Sequence, residues 1–80
     1  MRCLIVEDDP TLAAQLAQAM TEGGFVTDVF HDGPAAEFAG AIEPYDVAVL
    51  DLGLPGMSGI EVLTRWRAQG VTMPVLILTA

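Results

Sequence analysis

The sequence predicts an α/β fold with a doubly wound parallel sheet. Short apolar runs alternate with helical patterns along all 80 residues, in the order β-α-β-α-β-α-β. Each connection has room for a crossover helix and little else, which favours parallel strands joined by right-handed crossovers. Two of the apolar runs end on acidic residues, Glu7-Asp8-Asp9 and Asp51. Sites in such sheets form beyond the carboxyl ends of the strands, so these acids mark the candidate functional edge.

The first strand and helix follow from residues 2–24. Residues 2–6 are apolar and bounded by charge, which is typical of a short buried strand. Asp9 is suited to the N-cap of the next helix and Pro10 to its first helical position. Gly23-Gly24 ends that helix. Its apolar face is predicted to consist of Leu12, Leu16, Ala19 and Met20.

The second strand and helix occupy residues 25–45. Residues 25–30 alternate in part and contain β-branched and aromatic side chains, which favours a strand. Asp32-Gly33-Pro34 then begins an alanine-rich helix that continues to about Ile42. Pro44-Tyr45 interrupts the helical pattern, so the chain is free to enter a third strand.

The second half of the chain repeats this alternation. Residues 46–50 form a continuously apolar third strand. Ser58 and Glu61 have the spacing of a capping box, which predicts a helix that stops at Gly70. Residues 75–78 form the fourth strand after Met73-Pro74. The faces of the third helix are predicted to present Ile60, Leu63 and Trp66 or Arg67.

Composition limits the classes of partner. Eleven acidic residues against three arginines give a net charge of −8, which disfavours contact with nucleic acids or anionic membranes. Cations and basic protein surfaces are the favoured partners. The single cysteine, Cys3, lies in an apolar strand and is predicted to be a buried, inert thiol. A secretory signal is not evident and no apolar run is long enough to span a membrane, so we expect a cytoplasmic protein.

The acids at the strand ends suggest a metal site. If the first and third strands are neighbours, four carboxylates meet at one edge and repel one another unless a cation or protons neutralise them. Glu7 and Asp8 are therefore candidate ligands of a hard metal, with Asp51 as a candidate nucleophile. The alternatives are a turn or cap role for Asp51 and a solvated helix start for the acids after Val6.

Other polar or flexible positions are given structural interpretations. Gly53, Gly56 and Gly59 are turn glycines, because no lysine follows them and their spacing matches no nucleotide-binding fingerprint. His31 is interpreted as a loop residue, because no cysteine or histidine stands near it at metal-binding spacing. Arg65 and Arg67 are expected on a solvated face of the third helix.

Three separated motifs together resemble the receiver domain of bacterial two-component response regulators. They are Val6-Glu7-Asp8-Asp9, Asp51 with the turn Leu54-Pro55-Gly56-Met57-Ser58-Gly59, and Leu78-Thr79-Ala80. The resemblance covers the whole chain, and within the family the motifs most resemble the OmpR-type transcription factors. It implies a flavodoxin-like sheet with strand order 2-1-3-4 of an expected 2-1-3-4-5.

The resemblance also implies roles for individual residues. Asp51 would be the phosphoacceptor, attacking a phosphoryl group carried on a histidine of a partner kinase. Glu7 and Asp8 would hold Mg²⁺ together with Asp51 and the backbone carbonyl of Gly53. Thr79 would donate its hydroxyl to a phosphoryl oxygen and act as the conformational switch. Asp9, one place beyond the acidic pair, is left with the capping role.

The chain departs from the family pattern in what it lacks. It contains no lysine, whereas the family supplies one from a fifth strand, and nothing corresponds to that strand or the last helices. We therefore expect a truncated receiver domain spanning residues 1–80, regulatory rather than enzymatic, that contacts DNA only through an absent output domain. Weak Mg²⁺ binding and poor phosphorylation are expected to follow.

Two other functions remain open from the sequence. A fourth strand with an open edge and a sheet face without a covering helix would expose apolar surface, which favours a self-associating structural fragment without phosphotransfer. A fragment of a metal-dependent phosphatase or nuclease could also use the same acids. That third function is weaker, because the sequence offers neither a second base nor an Asp-x-Asp pair.

Overall fold

Seven elements make up the structure, a computed structural model that describes residues 1–78. The strands are β1 (Arg2–Val6), β2 (Val26–Phe30), β3 (Val47–Asp51) and β4 (Val75–Leu78). The helices are α1 (Pro10–Glu22), α2 (Gly33–Ile42) and α3 (Gly59–Ala68). This is the predicted alternation. The predicted bounds of two strands were wrong by one residue, since β2 begins at Val26 and β3 includes Asp51.

The four strands form one parallel sheet in the order β2-β1-β3-β4, which confirms the predicted order 2-1-3-4. Within it, β1 and β3 are the central pair and β2 and β4 are the edges. Val6 is the register partner of Leu50, so the next residue along each chain, Glu7 or Asp51, lies at the same level of the sheet. The sheet register therefore aligns the acidic strand ends.

The helices divide between the two faces of the sheet. Alternate residues of β1 point in opposite directions, so Leu4 and Val6 pack on the side of α2 and α3 while Cys3 and Ile5 pack on the side of α1. All four of these side chains are fully buried. The larger core therefore lies beneath the two helices α2 and α3.

The buried face of α1 differs from the predicted one. Ala13 is buried and Leu16, Ala17 and Met20 are half-buried, whereas Leu12 is 38% exposed and Ala19 is exposed. The contact stripe thus has the spacing i, i+3, i+4, i+7 starting from an alanine. Leu16 and Met20 lie on this stripe as predicted. The prediction was wrong for Leu12 and Ala19, because the helix buries Ala13 rather than Leu12 at the first position of the stripe.

The start of α3 has the predicted cap, and one stripe of the helix is buried. Ser58 Oγ accepts the Glu61 amide at 3.2 Å, while the Glu61 carboxylate forms an ion pair with Arg65 at 2.9 Å. Val62 and Trp66 are fully buried, whereas Ile60, on an adjacent face of the helix, is 53% exposed. The buried stripe of α3 consists of Gly59, Val62 and Trp66.

The guanidinium of Arg67 has backbone partners as well as solvent. It donates hydrogen bonds to the carbonyl oxygens of Val71 and Met73 at 2.8 and 2.9 Å. Arg67 is exposed, as predicted, but these bonds hold the segment between α3 and β4 against the end of the helix.

Trp66 determines how closely α2 and α3 approach. Its indole is fully buried and donates from Nε1 to the carbonyl oxygen of Glu37 at 3.1 Å. The ring lies directly on Gly40, where an added Cβ would be 2.5 Å from the indole Cε2 and Nε1 atoms. The glycine is therefore required for the contact between the two helices.

Arg2 connects three segments at the amino-terminal end of the sheet. Its guanidinium donates to Asp28 at 3.1 Å and to Glu43 at 3.0 Å, and it lies 4.7 Å from the centre of the Tyr45 ring. The Arg2 amide donates to Asp46 at 2.6 Å. Tyr45 in turn donates its hydroxyl to Asp28 at 2.7 Å. Burial, followed by this bond to the Asp28 carboxylate, raises the pKa of Tyr45 to about 12.

Two predictions from composition have structural counterparts. Cys3 is buried and unoxidised, and burial raises the pKa of its thiol, which keeps it in the unreactive protonated form. Within residues 1–78, none of the helices combines the length and apolar character required to cross a membrane.

Substituting Gly40→Ala is expected to destabilise the chain by about 1–2 kcal/mol. Overpacking a rigid core typically costs about 1–3 kcal/mol, and the better helix propensity of alanine offsets at most about 1 kcal/mol. Urea denaturation followed by Trp66 emission measures the change. The control is Gly23→Ala, whose added Cβ would make an ordinary contact of 3.4 Å with the Met20 carbonyl oxygen. Equal midpoints for the two variants would contradict the assignment of Gly40.

The single tyrosine is expected to ionise late in the folded chain. Its folded-state pKa of about 12 lies above the ordinary value of 10.0, so the stability it contributes is present below pH 10.0 and is lost as the pH rises through about 12. Tyrosinate absorbance during alkaline titration follows this directly. Asp28→Asn should lower the midpoint because it removes the charged acceptor, and an unchanged midpoint in that variant would exclude the Asp28 bond as a cause.

Candidate metal centre

Three carboxylates converge at the carboxyl-terminal edge of the sheet. Glu7 and Asp8 follow β1, Asp51 ends β3, and one oxygen atom from each lies within 4.8 Å of the others. The structure thereby brings together three of the residues singled out from the sequence. The convergence follows from the pairing of β1 with β3, because parallel strands present their carboxyl ends at one edge.

Glu7 is the buried member of this group, at 4% exposure. Its Oε2 accepts the Asp9 amide at 3.0 Å, and its own amide donates to the Phe30 carbonyl oxygen at 3.0 Å. Burial is the main cause that raises the pKa of the Glu7 carboxyl, and the neighbouring Asp8 and Asp51 raise it further, against the opposing effect of the Asp9 amide. A nearby cation would stabilise the ionised form of this carboxyl, which burial and the neighbouring acids disfavour.

Asp9 belongs to the helix rather than to the carboxylate group. Its Oδ1 accepts the amides of Thr11 and Leu12 at 3.0 and 3.4 Å, which is the N-cap geometry predicted for it. The three consecutive acids after Val6 therefore separate in direction. Two of them face Asp51, and the third satisfies the first turn of α1.

The loop after Asp51 is closed by a glycine. Gly59 donates its amide to the Leu52 carbonyl oxygen at 3.0 Å. An added Cβ on Gly59 would be 2.3 Å from the Asp51 carbonyl oxygen, so only glycine allows this approach. Gly53 lies beside the carboxylate, since its own added Cβ would be 3.9 Å from Asp51 Oδ2. The Gly53 backbone is therefore within the same small region as the three acids.

The amino end of α2 supports the same loop from the other side. Gly33 donates its amide to the Pro55 carbonyl oxygen at 3.3 Å, and its added Cβ would be 2.3 Å from the Met57 carbonyl oxygen. Gly56 has a φ of +79°, in the left-handed region that favours glycine. Gly59, predicted as a turn glycine, is the first residue of α3, and neither its approach to Asp51 nor that of Gly33 to Met57 was predicted. Their only signal is a glycine immediately after the capping residues Asp32 and Ser58.

His31 also contacts the site, through the backbone. It is an exposed loop residue after β2, and its Nδ1 lies 2.8 Å from the Glu7 carbonyl oxygen. With the proton on Nδ1, the imidazole donates this hydrogen bond and holds the turn that follows β1. His31 is a loop residue as predicted, but its contact with the Glu7 carbonyl oxygen was not predicted.

Basic side chains lie elsewhere in the part of the chain that the structure describes. Arg65 pairs with Glu61, Arg67 binds two backbone carbonyls, and Arg2 pairs with Asp28 and Glu43. Among residues 1–78 the carboxylate group therefore has no arginine against it, and the sequence contains no lysine. Thr79, predicted as the switch residue, lies outside the described residues.

The donor set fits a hard divalent cation. Carboxylate and carbonyl oxygens are the ligands that Mg²⁺ takes, and one or two carboxylates with waters and a phosphate oxygen complete its usual shell. Three mutually repelling carboxylates, one of them nearly buried, also give a cation a favourable place to bind. Glu7, Asp8 and Asp51 are thus the side chains that could hold such an ion.

Comparison with known proteins places these features in one family. Residues 3–80 match the family described as the response regulator receiver domain. The chain is 48% identical over 80 residues to the transcriptional regulatory protein TctD of Salmonella typhimurium, covering 100% of this chain and 36% of that protein. It therefore spans roughly a third of the length of that regulator.

Solved structures agree with this match. The receiver domain of the Francisella response regulator 1452 has a TM-score of 0.94 and 35% identity, with 99% of this chain and 65% of that chain covered. The response regulator TrrA of Thermotoga maritima, solved in complex with Mg²⁺-BeF, has a TM-score of 0.93 and 32% identity, with 99% and 69% covered. The chain belongs to the response regulator receiver domain family.

Proposed function

We propose that this chain accepts a phosphoryl group from a histidine kinase onto Asp51, with Mg²⁺, and thereby controls a transcriptional output. The observation that carries the proposal is the convergence of Glu7, Asp8 and Asp51 within 4.8 Å at the carboxyl ends of β1 and β3. Membership of a regulatory family, a relative named as a transcriptional regulator, and the Mg²⁺-BeF complex of TrrA support it.

Each residue of the group has a role that its position allows. Glu7, Asp8, Asp51 and the Gly53 carbonyl would hold the ion. When bound, Mg²⁺ would supply positive charge against the carboxylates and the phosphoryl oxygens. Glu7, whose buried carboxyl is fixed by the Asp9 amide, would orient the ligand shell, and the more exposed Asp8 and Gly53 would remain accessible to solvent and phosphate.

Asp51 would act as the nucleophile. One of its carboxylate oxygens forms a bond to phosphorus while the bond from phosphorus to the kinase histidine nitrogen breaks, and that nitrogen keeps the electron pair. Phosphoryl transfer depends mainly on positioning and charge neutralisation. Asp51 is positioned by the last register pair of β3 and by the close approach of Gly59 to its carbonyl.

The positions of the arginines bear on how efficiently these 80 residues would be phosphorylated. All three arginines contact groups outside the site, so the phosphoryl group would meet the acidic residues without a protein cation opposite them. Phosphorylation would therefore be slow. Thr79 would donate its hydroxyl to a phosphoryl oxygen, and DNA would be contacted only through an output domain outside these residues.

Exposed apolar surface favours a second candidate, a self-associating fragment without phosphotransfer. Leu76 and Ile77 of the edge strand β4 are 59% and 42% exposed. Edge strands with apolar side chains are templates for pairing with another chain. A monomer at all concentrations in sedimentation velocity would exclude this candidate. A phosphatase or nuclease fragment is disfavoured, because receiver domains are regulatory rather than classical enzymes.

Mg²⁺ is expected to stabilise the chain through these acids. At a concentration of about 100 times the dissociation constant, binding adds about 2.7 kcal/mol to the free energy of unfolding. Asp8→Asn should remove most of this gain, while raising the stability of the metal-free chain because one repelling charge is lost. Thermal unfolding with and without Mg²⁺ measures both effects. Glu61→Gln, which removes a carboxylate on the outer face of α3, serves as the control and should retain the full gain.

Phosphorylation is expected on Asp51 alone. Incubation with a small-molecule phosphodonor and Mg²⁺ should add one phosphoryl group slowly, and Asp51→Asn should abolish the addition because the amide is not a competent nucleophile. Intact-mass spectrometry detects the product. Asp46→Asn, at the opposite end of β3, is the matched control. A phosphorylated Asp51→Asn protein would refute the assignment, and efficient modification of the unchanged chain would refute the proposed need for a cation.

A further inference from the structure

An apolar groove runs between α2 and the edge strand β2, lined by none of the carboxylates of the metal centre. It encloses about 490 Å³. Phe30 and Ala39 form part of its lining, and Phe38 and Ile42, one turn apart on α2, stand beside it at 63% and 60% exposure. Aromatic and large aliphatic side chains in this arrangement are typical of the centre of a protein–protein interface.

One end of the groove is acidic. Asp28 and Glu43 line it together with Arg2, and Asp46 accepts the Arg2 amide. Asp28 and Glu43 share the Arg2 guanidinium, whereas Asp46 binds the Arg2 backbone amide. Three carboxylates and one guanidinium give this cluster a net charge of −2. Arg2 uses Oδ2 of Asp28 and Oε2 of Glu43, and among residues 1–78 the other oxygen of each carboxylate has no hydrogen-bond partner. A further cation would find two acceptors at this end.

Shape and charge together indicate the kind of partner. The strand β2 runs from Val26 to Phe30 and spans about 13 Å at the usual rise of a strand. Val26 is 65% exposed. That length corresponds to about two and a half turns of an α-helix. A helix with an apolar stripe and flanking lysines or arginines would cover the exposed residues and approach the free carboxylate oxygens.

Other occupants fit the charge less well. A second copy of the chain would bring two acidic clusters toward each other, and like-charge contacts across an interface are costly. Nucleic acids and anionic membranes are disfavoured by the same cluster and by the net charge of −8.

We propose that the groove between α2 and β2 docks a basic amphipathic helix of a partner protein. Its apolar side chains lie on Phe38 and Ile42, and its basic side chains bind Asp28 and Glu43. This docking surface is separate from the phosphoacceptor site and does not depend on the proposed phosphotransfer.

The test uses a fluorescein-labelled synthetic peptide of about 18 residues with leucine at positions i, i+3, i+4 and i+7, lysines flanking that stripe and alanine at the remaining positions, which favour a helix in water. Fluorescence anisotropy with the 80-residue chain measures its affinity. Phe38→Ser should weaken binding by about tenfold or more, as expected for the loss of a central aromatic contact. Ile60→Ser on α3, where the side chain is 53% exposed, should leave the affinity unchanged.

A matched pair of charge variants tests the acidic end. Glu43 and Glu61 each form an ion pair with an arginine, at 3.0 and 2.9 Å, so Glu43→Gln and Glu61→Gln remove equivalent interactions. Only Glu43→Gln should weaken the lysine helix, by about threefold at low salt, and the difference should shrink as salt screens the charges. A twin peptide with glutamate in place of lysine should bind at least about tenfold more weakly.

Three results would overturn the proposal: no binding of the lysine helix, equal binding to the Phe38→Ser and unchanged chains, or equal binding of the glutamate twin. A dimer that Phe38→Ser dissociates in sedimentation velocity would assign the groove to a second copy and overturn it as well. Because Phe38 is largely exposed, the variant should fold. Far-UV circular dichroism and Trp66 emission confirm this before binding is measured.

Discussion

The pairing of β1 with β3 is the constraint on which the rest of the structure depends. The two strands form the centre of the sheet. Residues 4–6 of β1 and their register partners, residues 48–50 of β3, are all buried. A slip of one residue would move every side chain of the shifted strand to the opposite face of the sheet, because side chains alternate between faces. The same slip would separate Glu7 from Asp51. Stability and the geometry of the carboxylate group are therefore determined by one set of contacts.

The three carboxylates at the edge of the sheet repel one another and lower the stability of the fold that holds them together. Glu7 is almost buried beside two other acids, and its raised pKa shows that the folded chain resists its ionisation. Natural sequences depart from local consistency mainly at functional sites, where stability is given up for chemistry. The conflict is resolved in part by backbone donors such as the Asp9 amide. The remaining charge is what makes the edge of the sheet receptive to a cation.

Much of this architecture could be predicted from local sequence signals. The apolar runs, Asp9 with Pro10, and Ser58 gave the order of elements and the helix starts, because capping and strand burial act over a few residues. The face of α1 could not be predicted as reliably, since the sequence has apolar residues at both Leu12 and Ala13 and only packing on the sheet decides which of them is buried. Contacts between residues far apart in the sequence have no local sequence pattern from which they could be predicted.

The same distinction applies to the site. Glu7, Asp8 and Asp51 were recognisable because each follows an apolar run, and parallel pairing then brings them to one edge. The loop after Asp51 depends on the approach of Gly33 to Met57 and of Gly59 to Asp51. Each contact joins residues that are not neighbours in the sequence, so no local pattern predicts it. The Arg2 network likewise unites residues 2, 28, 43 and 45, and a lone arginine at the start of a strand gives no sign of it.

Helix α2 has a consequence that reaches beyond its own packing. Its first residue, Gly33, touches the loop after Asp51, Gly40 receives Trp66, and Phe38 and Ile42 face the groove beside β2. Two distant surfaces thus share one rigid body. If α2 takes different positions in the free and bound forms, occupancy of either surface changes the affinity of the other by the same factor, since linkage is reciprocal. The helix is therefore the natural place to look for thermodynamic coupling between the phosphoacceptor edge and the outer face of the molecule.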